Sequence, residues 1–217
     1  MVSIITGKKI ELVDSLAQEI ILNENLYLKL TQQLNDEGLS RKETITIGRR
    51  VGWYVLIRIL KPRVVVETGV HHGVGACVIS EALRRNQMEG FRGKYIGTEI
   101  NSNHGKLFNQ NYSDVGKIVY GDSIKTLSNL TEEIDIFIND SDHDSNYERN
   151  EYYAILKNLN KSSLVIGDNA HVSDELQKFS MDKGRHYLVF HEEPMGHWYP
   201  GGAIGMSIRE IPTKEFQ

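Results

Sequence analysis

The sequence predicts an α/β protein: a seven-stranded, mostly parallel sheet that ends in an antiparallel hairpin and follows a helical N-terminal section. Three observations carry this. Arg63 to Glu67 (RVVVE) is a β-branched run that opens into a loop holding Gly69, Gly73 and Gly75, with a helical pattern beyond. A fully buried strand feeding a glycine loop and a helix is the unit from which doubly wound sheets build a nucleotide site. Strand and helix patterns then alternate along the chain. Finally, Tyr187–His191 and Gly202–Ile208 are joined by a glycine-rich loop too short for a helix, so these two strands pair as a hairpin.

Each element follows in order. Leu12, Leu16, Ile20, Leu26, Leu30 and Leu34 recur at helical spacing and predict helix across residues 11 to 34. A second helix spans Ile47 to Leu60, with Val51, Tyr54, Val55 and Ile59 on one face, and Pro62 ends it. Residues 1–62 are thus a helical section that packs on the sheet edge, covers the ligand as a lid, or forms a dimer surface; residues 63–217 are the ligand-binding domain. The first strand, Arg63–Glu67, precedes a helix around Ala76 to Asn86. Lys94–Glu99, Lys117–Tyr120 and Ile134–Ile138 are the next three strands. A helix from about Tyr147 to Leu156 follows, its charges read as solvated, then a strand at Leu164–Ile166 and a helix from about Asp174 to Lys183.

Composition excludes several classes. A chain of 217 residues with 40% hydrophobic and 25% charged content supports one sizeable core. The net charge of -4, with no long basic run, argues against a nucleic-acid partner. No stretch is long and apolar enough for a membrane span, and no secretory signal is visible. The lone Cys77 permits no internal disulfide and is read as a packing residue. These features set the expectation of a cytoplasmic protein with a small-molecule partner and, through the helical section, a possible homodimer.

Ligands of such sheets lie across the carboxyl ends of the strands, so the residues there are the candidates. Glu67, Gly69, Gly73 and Gly75 close the first strand. Backbone N–H groups of this loop suit a carboxylate or phosphate, and Glu67 suits an amino group or orders the loop. The spacing Gly69-x3-Gly73-x-Gly75 is not that of the dinucleotide fingerprint. Glu99 ends the second strand, where a carboxylate accepts both ribose hydroxyls. Asp122 and Ser123 follow the third and are cofactor contacts or a helix cap. The fourth strand runs into Asn139-Asp-Ser-Asp-His-Asp144 and the fifth into Gly167-Asp-Asn-Ala-His171. Neighbouring strand ends bring Asp140 or Asp142 toward Asp168 and Asn169. Oxygen ligands converging in this way call for a hard divalent cation, Mg²⁺ or Ca²⁺. His143, and second to it His171, are candidate general bases because imidazole titrates near neutral pH. His71 and His72 are read as loop residues, since no Cys or His stands at ligand spacing from them. Trp198 and Tyr199, in the loop between the last two strands, are placed to stack on an acceptor, cover the core or meet a partner.

The Glu67-x-Gly69-x3-Gly73 segment resembles motif I of the class I methyltransferases that use S-adenosylmethionine (SAM), in its E-x-G-x-x-x-G form. The D-x-D-H…Y-E block with the later G-D-N resembles the O-methyltransferases grouped with macrocin O-methyltransferase and cephalosporin hydroxylase-type proteins, and the D-N pair also occurs in catechol-type O-methyltransferases. The likeness covers roughly residues 45 to 210. It implies a Rossmann-like, seven-stranded fold, SAM held by the first three strand ends with Asp122 toward adenine, and Mg²⁺-assisted methylation of a hydroxyl on a sugar or secondary metabolite. Asp140, counted from Asp135, is the preferred metal ligand and also borders the cofactor. Two departures stand out: His71 occupies the place of a customary glycine, and His143 is further from Tyr147 than the family pattern has it. The competing readings are a metal-independent N- or O-methyltransferase and a SAM- or nucleotide-binding module without catalysis.

Overall fold

The computed structural model describes residues 1–36, 38, 47–168, 170–192 and 201–211. Four helices come first: α1 (Val2–Thr6), α2 (Ile10–Ile21), α3 (Glu24–Asp36) and α4 (Arg50–Leu60). The predicted helix over 11 to 34 is broken at Asn23. The Asn23 side-chain oxygen accepts the Leu26 N–H at 3.2 Å, so this residue caps α3 rather than continuing α2. Leu12 of the predicted stripe is exposed, whereas Ile20, Leu26, Leu30 and Leu34 are buried. Helix α4 buries more than the predicted face, because Trp53, Leu56 and Ile57 are also inaccessible. It is sandwiched between the N-terminal helices and the sheet domain. Arg58 pins it, with Nε 2.8 Å from Glu19 on α2 and Nη2 2.6 Å from Glu89.

The remaining elements are β1 (Val64–Thr68), α5 (Val74–Met88), β2 (Lys94–Glu99), α6 (Lys106–Asn111), β3 (Gly116–Tyr120), α7 (Ser123–Ser128), β4 (Ile134–Asn139), α8 (Ser145–Ala154), β5 (Leu159–Gly167), α9 (Glu175–Asp182), β6 (His186–His191) and β7 (Ala203–Ile208). The strands form one seven-stranded sheet in the order β3-β2-β1-β4-β5-β7-β6. All pairs from β3 through β5 are parallel, and β7 runs antiparallel to both β5 and β6, as the hairpin predicted.

Side chains of β1 alternate between two cores. Val65 joins the layer containing Trp53, Ile57 and Ile79, and Val64 and Val66 join the opposite layer with Phe137, Tyr152 and Phe179. Burial on both faces is why β1 is an unbroken apolar run rather than an alternating one. The chain leaves β1 toward β2 and β3, then returns to the other side of β1 as β4. The carboxyl ends of β1 and β4 therefore flank the switch point where such sheets bind ligands. No helix among the described residues is long and apolar enough to cross a membrane.

Candidate active site

A cavity of about 690 Å³ opens at this switch point, lined by residues that follow β1, β2, β3 and β4. The glycines of the first loop are there for steric reasons. Gly69 has φ +82°, and a methyl group on it would collide with the carbonyl of Asp140, so the β1 loop lies directly against the end of β4. At Gly75 a Cβ would sit 2.5 Å from Glu67 Oε1 and 3.0 Å from the Trp53 ring. His71, standing where the family pattern has glycine, takes the left-handed conformation with φ 50°. That conformation is held from both sides: its N–H donates to Glu99 Oε2 at 2.7 Å and its carbonyl accepts the Gly105 N–H at 2.7 Å.

The predicted cofactor residues converge on this cavity. Glu67, Gly69, Gly75, Glu99, Asp122, Ser123 and Asp140 line it, and Gly73 caps α5 behind it. Glu67 is buried and takes a hydrogen bond from the Tyr95 hydroxyl. Burial pushes its pKa up to about 7, against the lowering effects of Tyr95 and Arg50. Glu99 accepts backbone N–H groups from His71 and, at 2.8 Å, Asn101, so it organises the loops after β1 and β2. Asp122 does cap α7, accepting the Lys125 N–H at 2.7 Å, and its second oxygen lies 3.2 Å from the Tyr147 hydroxyl. Asp122 is thus the helix cap, and it also lines the cavity. The Ser123 hydroxyl is engaged by Tyr147 at 2.8 Å and by Glu151.

The predicted metal residues are divided. Asp140 and Asp142 line the cavity, Asp168 sits outside its lining, and Asn169 lies outside the described residues. Burial, with the charge of Asp168 adding to it, raises the Asp140 pKa to about 8. Two arginines at the start of α4 supply positive charge: Arg49 Nη2 is 3.0 Å from Asp168 Oδ2, and Arg50 Nη2 is 3.7 Å from Asp140 Oδ2. Asp142 is exposed and accepts the Asp144 N–H at 3.1 Å. Asp140 and Asp168 fit a hard divalent ion in chemistry and in their placement on adjacent strand ends, provided that the two guanidinium groups swing aside. His143 is exposed on the cavity wall. His171 does not line the cavity, and its Nδ1 accepts the Ala203 N–H at 3.0 Å, which ties it to β7.

Several site residues went unseen in the sequence. The helix charges around Tyr147–Tyr153, expected to be solvated, include buried Glu148 and Glu151. Glu151 accepts from Thr68 at 3.2 Å, Ser141 at 2.7 Å, Ser123 and Asn139, and so fastens the ends of β1, β3 and β4 together. His71 and His72 do not stand apart: His104, from the loop after β2, joins them, with ring centroids 4.9 Å from His71 and 5.6 Å from His72. The strand-end rule would have found His104 had it been extended past Glu99. Arg49 and Arg50 had no motif to announce them.

Residues 66–170 match the family model of a methyltransferase domain. The chain carries a class I, SAM-dependent methyltransferase domain. Its fold is shared with an O-methyltransferase from Bacillus cereus solved with S-adenosylhomocysteine (SAH), at 16% identity and TM-score 0.66 over 96% of this chain and 100% of that one. TomG from Streptomyces achromogenes, an O-methyltransferase of tomaymycin synthesis solved with SAM, superimposes at 13% identity and TM-score 0.61, over 93% and 90%. The SAH-bound methyltransferase PaMTH1 of Podospora anserina gives 17% and 0.58, over 74% and 77%. No protein with a curated description matches the chain in sequence.

Proposed function

We propose that this methyltransferase domain transfers the methyl group of SAM to a hydroxyl of a small acceptor, a sugar or a secondary metabolite, with a divalent cation at Asp140 and Asp168. The observation that carries the proposal is the arrangement of acids around the switch-point cavity: Glu67 and Glu99 at the ends of β1 and β2, and Asp140 at the end of β4 beside Asp168 at the end of β5. The first two suit a nucleoside with an amino acid tail, and the second two suit a polarised hydroxyl. The O-methyltransferases that share the fold support the choice of oxygen as acceptor.

In this reading the backbone N–H groups of the Gly69–Gly75 loop hold the methionyl carboxylate and Glu67 faces the ammonium group. Glu99 takes the ribose hydroxyls, and Asp122 borders the adenine. Asn169 completes the cation's protein ligands. When bound, a divalent ion lowers the pKa of the acceptor hydroxyl and fixes its direction. His143, on the cavity wall, would accept the hydroxyl proton as the acceptor oxygen took the methyl group that SAM supplies, leaving S-adenosylhomocysteine. His171, held on β7, is the second candidate for that role. Residues 1–62 serve as a lid or a homodimer surface; the exposed Leu22 and Leu28 suit the latter.

A second reading has its own observation. Arg49 already pairs with Asp168, and burial favours the protonated Asp140 carboxyl beside Arg50, so this corner is charge-balanced without an ion, as a metal-independent enzyme would require. Assay of methyl transfer to a panel of sugars and phenols, with Mg²⁺ and with EDTA, separates the two. Turnover that needs Mg²⁺ supports the first, turnover indifferent to EDTA supports the second, and SAM binding with no turnover on any acceptor favours a binding module.

A further inference from the structure

The loops after β1 and β2 bring three histidines together on one wall of the cavity. His71 and His72 have ring centroids 3.8 Å apart, and one donor nitrogen from each of His71, His72 and His104 lies within 4.8 Å of the others. Among the described residues this is the one group of three metal-ligating side chains so close together. A tetrahedral ion with metal–nitrogen bonds of about 2.0–2.1 Å separates its ligand nitrogens by about 3.3 Å, so modest side-chain rotations complete the set.

The surroundings are built for that purpose. His71 is fixed at both ends of its peptide, one end to Glu99 and the other to Gly105, the residue after His104. The two ligand-bearing loops are thereby stitched to each other. Glu99 Oε1 lies 3.3 Å from His104 Nδ1, which is buried without a hydrogen bond among the described residues, so a small rotation of the ring makes the carboxylate–imidazole bond that orients metal-bound histidines and raises their basicity. The Nε2 of His104 is 3.2 Å from the side-chain amide of exposed Asn101, a contact that an ion would replace. Imidazole nitrogens select Zn²⁺, Ni²⁺ or Cu²⁺ over Mg²⁺, whereas the oxygens of Asp140 and Asp168 have the opposite preference.

The geometry points to a transition-metal site of the zinc class, formed by His71, His72 and His104, whose occupation opposes cofactor binding. The opposition rests on the cofactor role proposed for Glu99, because the same carboxylate would serve the His104 imidazole and the ribose.

The test uses the full chain stripped of metal with EDTA and then dialysed. Calorimetric titration with Zn²⁺ alone should show one equivalent bound. Affinity should fall at least about tenfold in His104→Ala and in His72→Gln and hold in Asp168→Ala, with circular dichroism confirming that each variant is folded. Zn²⁺ should also weaken SAM binding about tenfold in the unmodified chain and leave it unchanged in His72→Gln. Absence of Zn²⁺ binding, binding indifferent to both histidine substitutions, or SAM affinity indifferent to bound Zn²⁺ overturns the proposal. SAM titration in EDTA reports on the cofactor reading alone, so a failure there is told apart from a failure of the histidine site.

Discussion

Arg49 ties the start of α4 to the end of β5 through an ion pair with Asp168, Nη2 to Oδ2 at 3.0 Å. Its neighbour Arg50 leans on Asp140 and lies over the Trp53 ring, 5.4 Å from the centroid. The helix before the sheet thus places two guanidinium groups against the acids that a divalent ion would use. Charge balance at this corner has two solutions, and the chemistry of the enzyme depends on which one operates during turnover.

Asp168→Ala discriminates between them. The substitution should reduce Mg²⁺-dependent methyl transfer to background and leave SAM affinity nearly unchanged, as measured by calorimetry on the same preparation. Full activity in Asp168→Ala would remove the cation from the mechanism.

Glu99→Ala should have the opposite profile. Loss of a charge-assisted pair to the ribose weakens SAM binding by about 1.5–3 kcal/mol. Because Glu99 also holds the His71 N–H, some of that loss comes from a loosened β1 loop. Glu99→Gln, which keeps an acceptor for that N–H, should recover part of the affinity.

The pH dependence of stability follows from Glu67 and Asp140. Both carboxyls keep their protons in the folded chain at pH values where the unfolded chain has lost them. Folded stability from these groups is therefore complete below their ordinary pKa values and falls as pH rises, from 4.5 toward about 7 for Glu67 and from 3.8 toward about 8 for Asp140. For Glu67 the loss across that window is about 3 kcal/mol. Thermal melts between pH 5 and 8 without cofactor or cation should show a declining Tm, and Glu67→Gln should flatten the decline. A Tm that rises steadily across this range would contradict the assignment.

Gly69→Ala tests the contact between the β1 loop and β4. The clash with Asp140 and the positive φ together should cost about 2–4 kcal/mol and abolish SAM binding. Gly52→Ala is the matched control. It lies in α4, where no atom of the described residues comes within 4 Å of an added Cβ, and the substitution should stabilise the protein by about 0.4–1 kcal/mol in denaturant titration.

The sheet was legible in the sequence because its causes are local. A β-branched run ahead of a glycine loop, acids at successive strand ends and a connection too short for a helix are all readable along the chain, and strand β2 was found at its observed bounds, Lys94–Glu99. What escaped depends on contacts remote in sequence. Glu151 sits in a charged stretch, and only the packing of α8 on three strand ends makes it a buried acceptor. His104 becomes the neighbour of His71 only because parallel pairing of β1 with β2 sets their following loops side by side. The short helices α6 and α7 have too few residues for a periodic pattern to show. Trp198 and Tyr199, which the sequence singled out, lie outside the described residues.

Calorimetric titration of the purified chain with SAM, in EDTA and again with Mg²⁺, decides whether the switch-point cavity binds SAM through Glu99. One equivalent bound with micromolar affinity in both conditions, weakened in Glu99→Ala, is the predicted result. No heat of binding in either condition, with the chain shown to be folded, would contradict it.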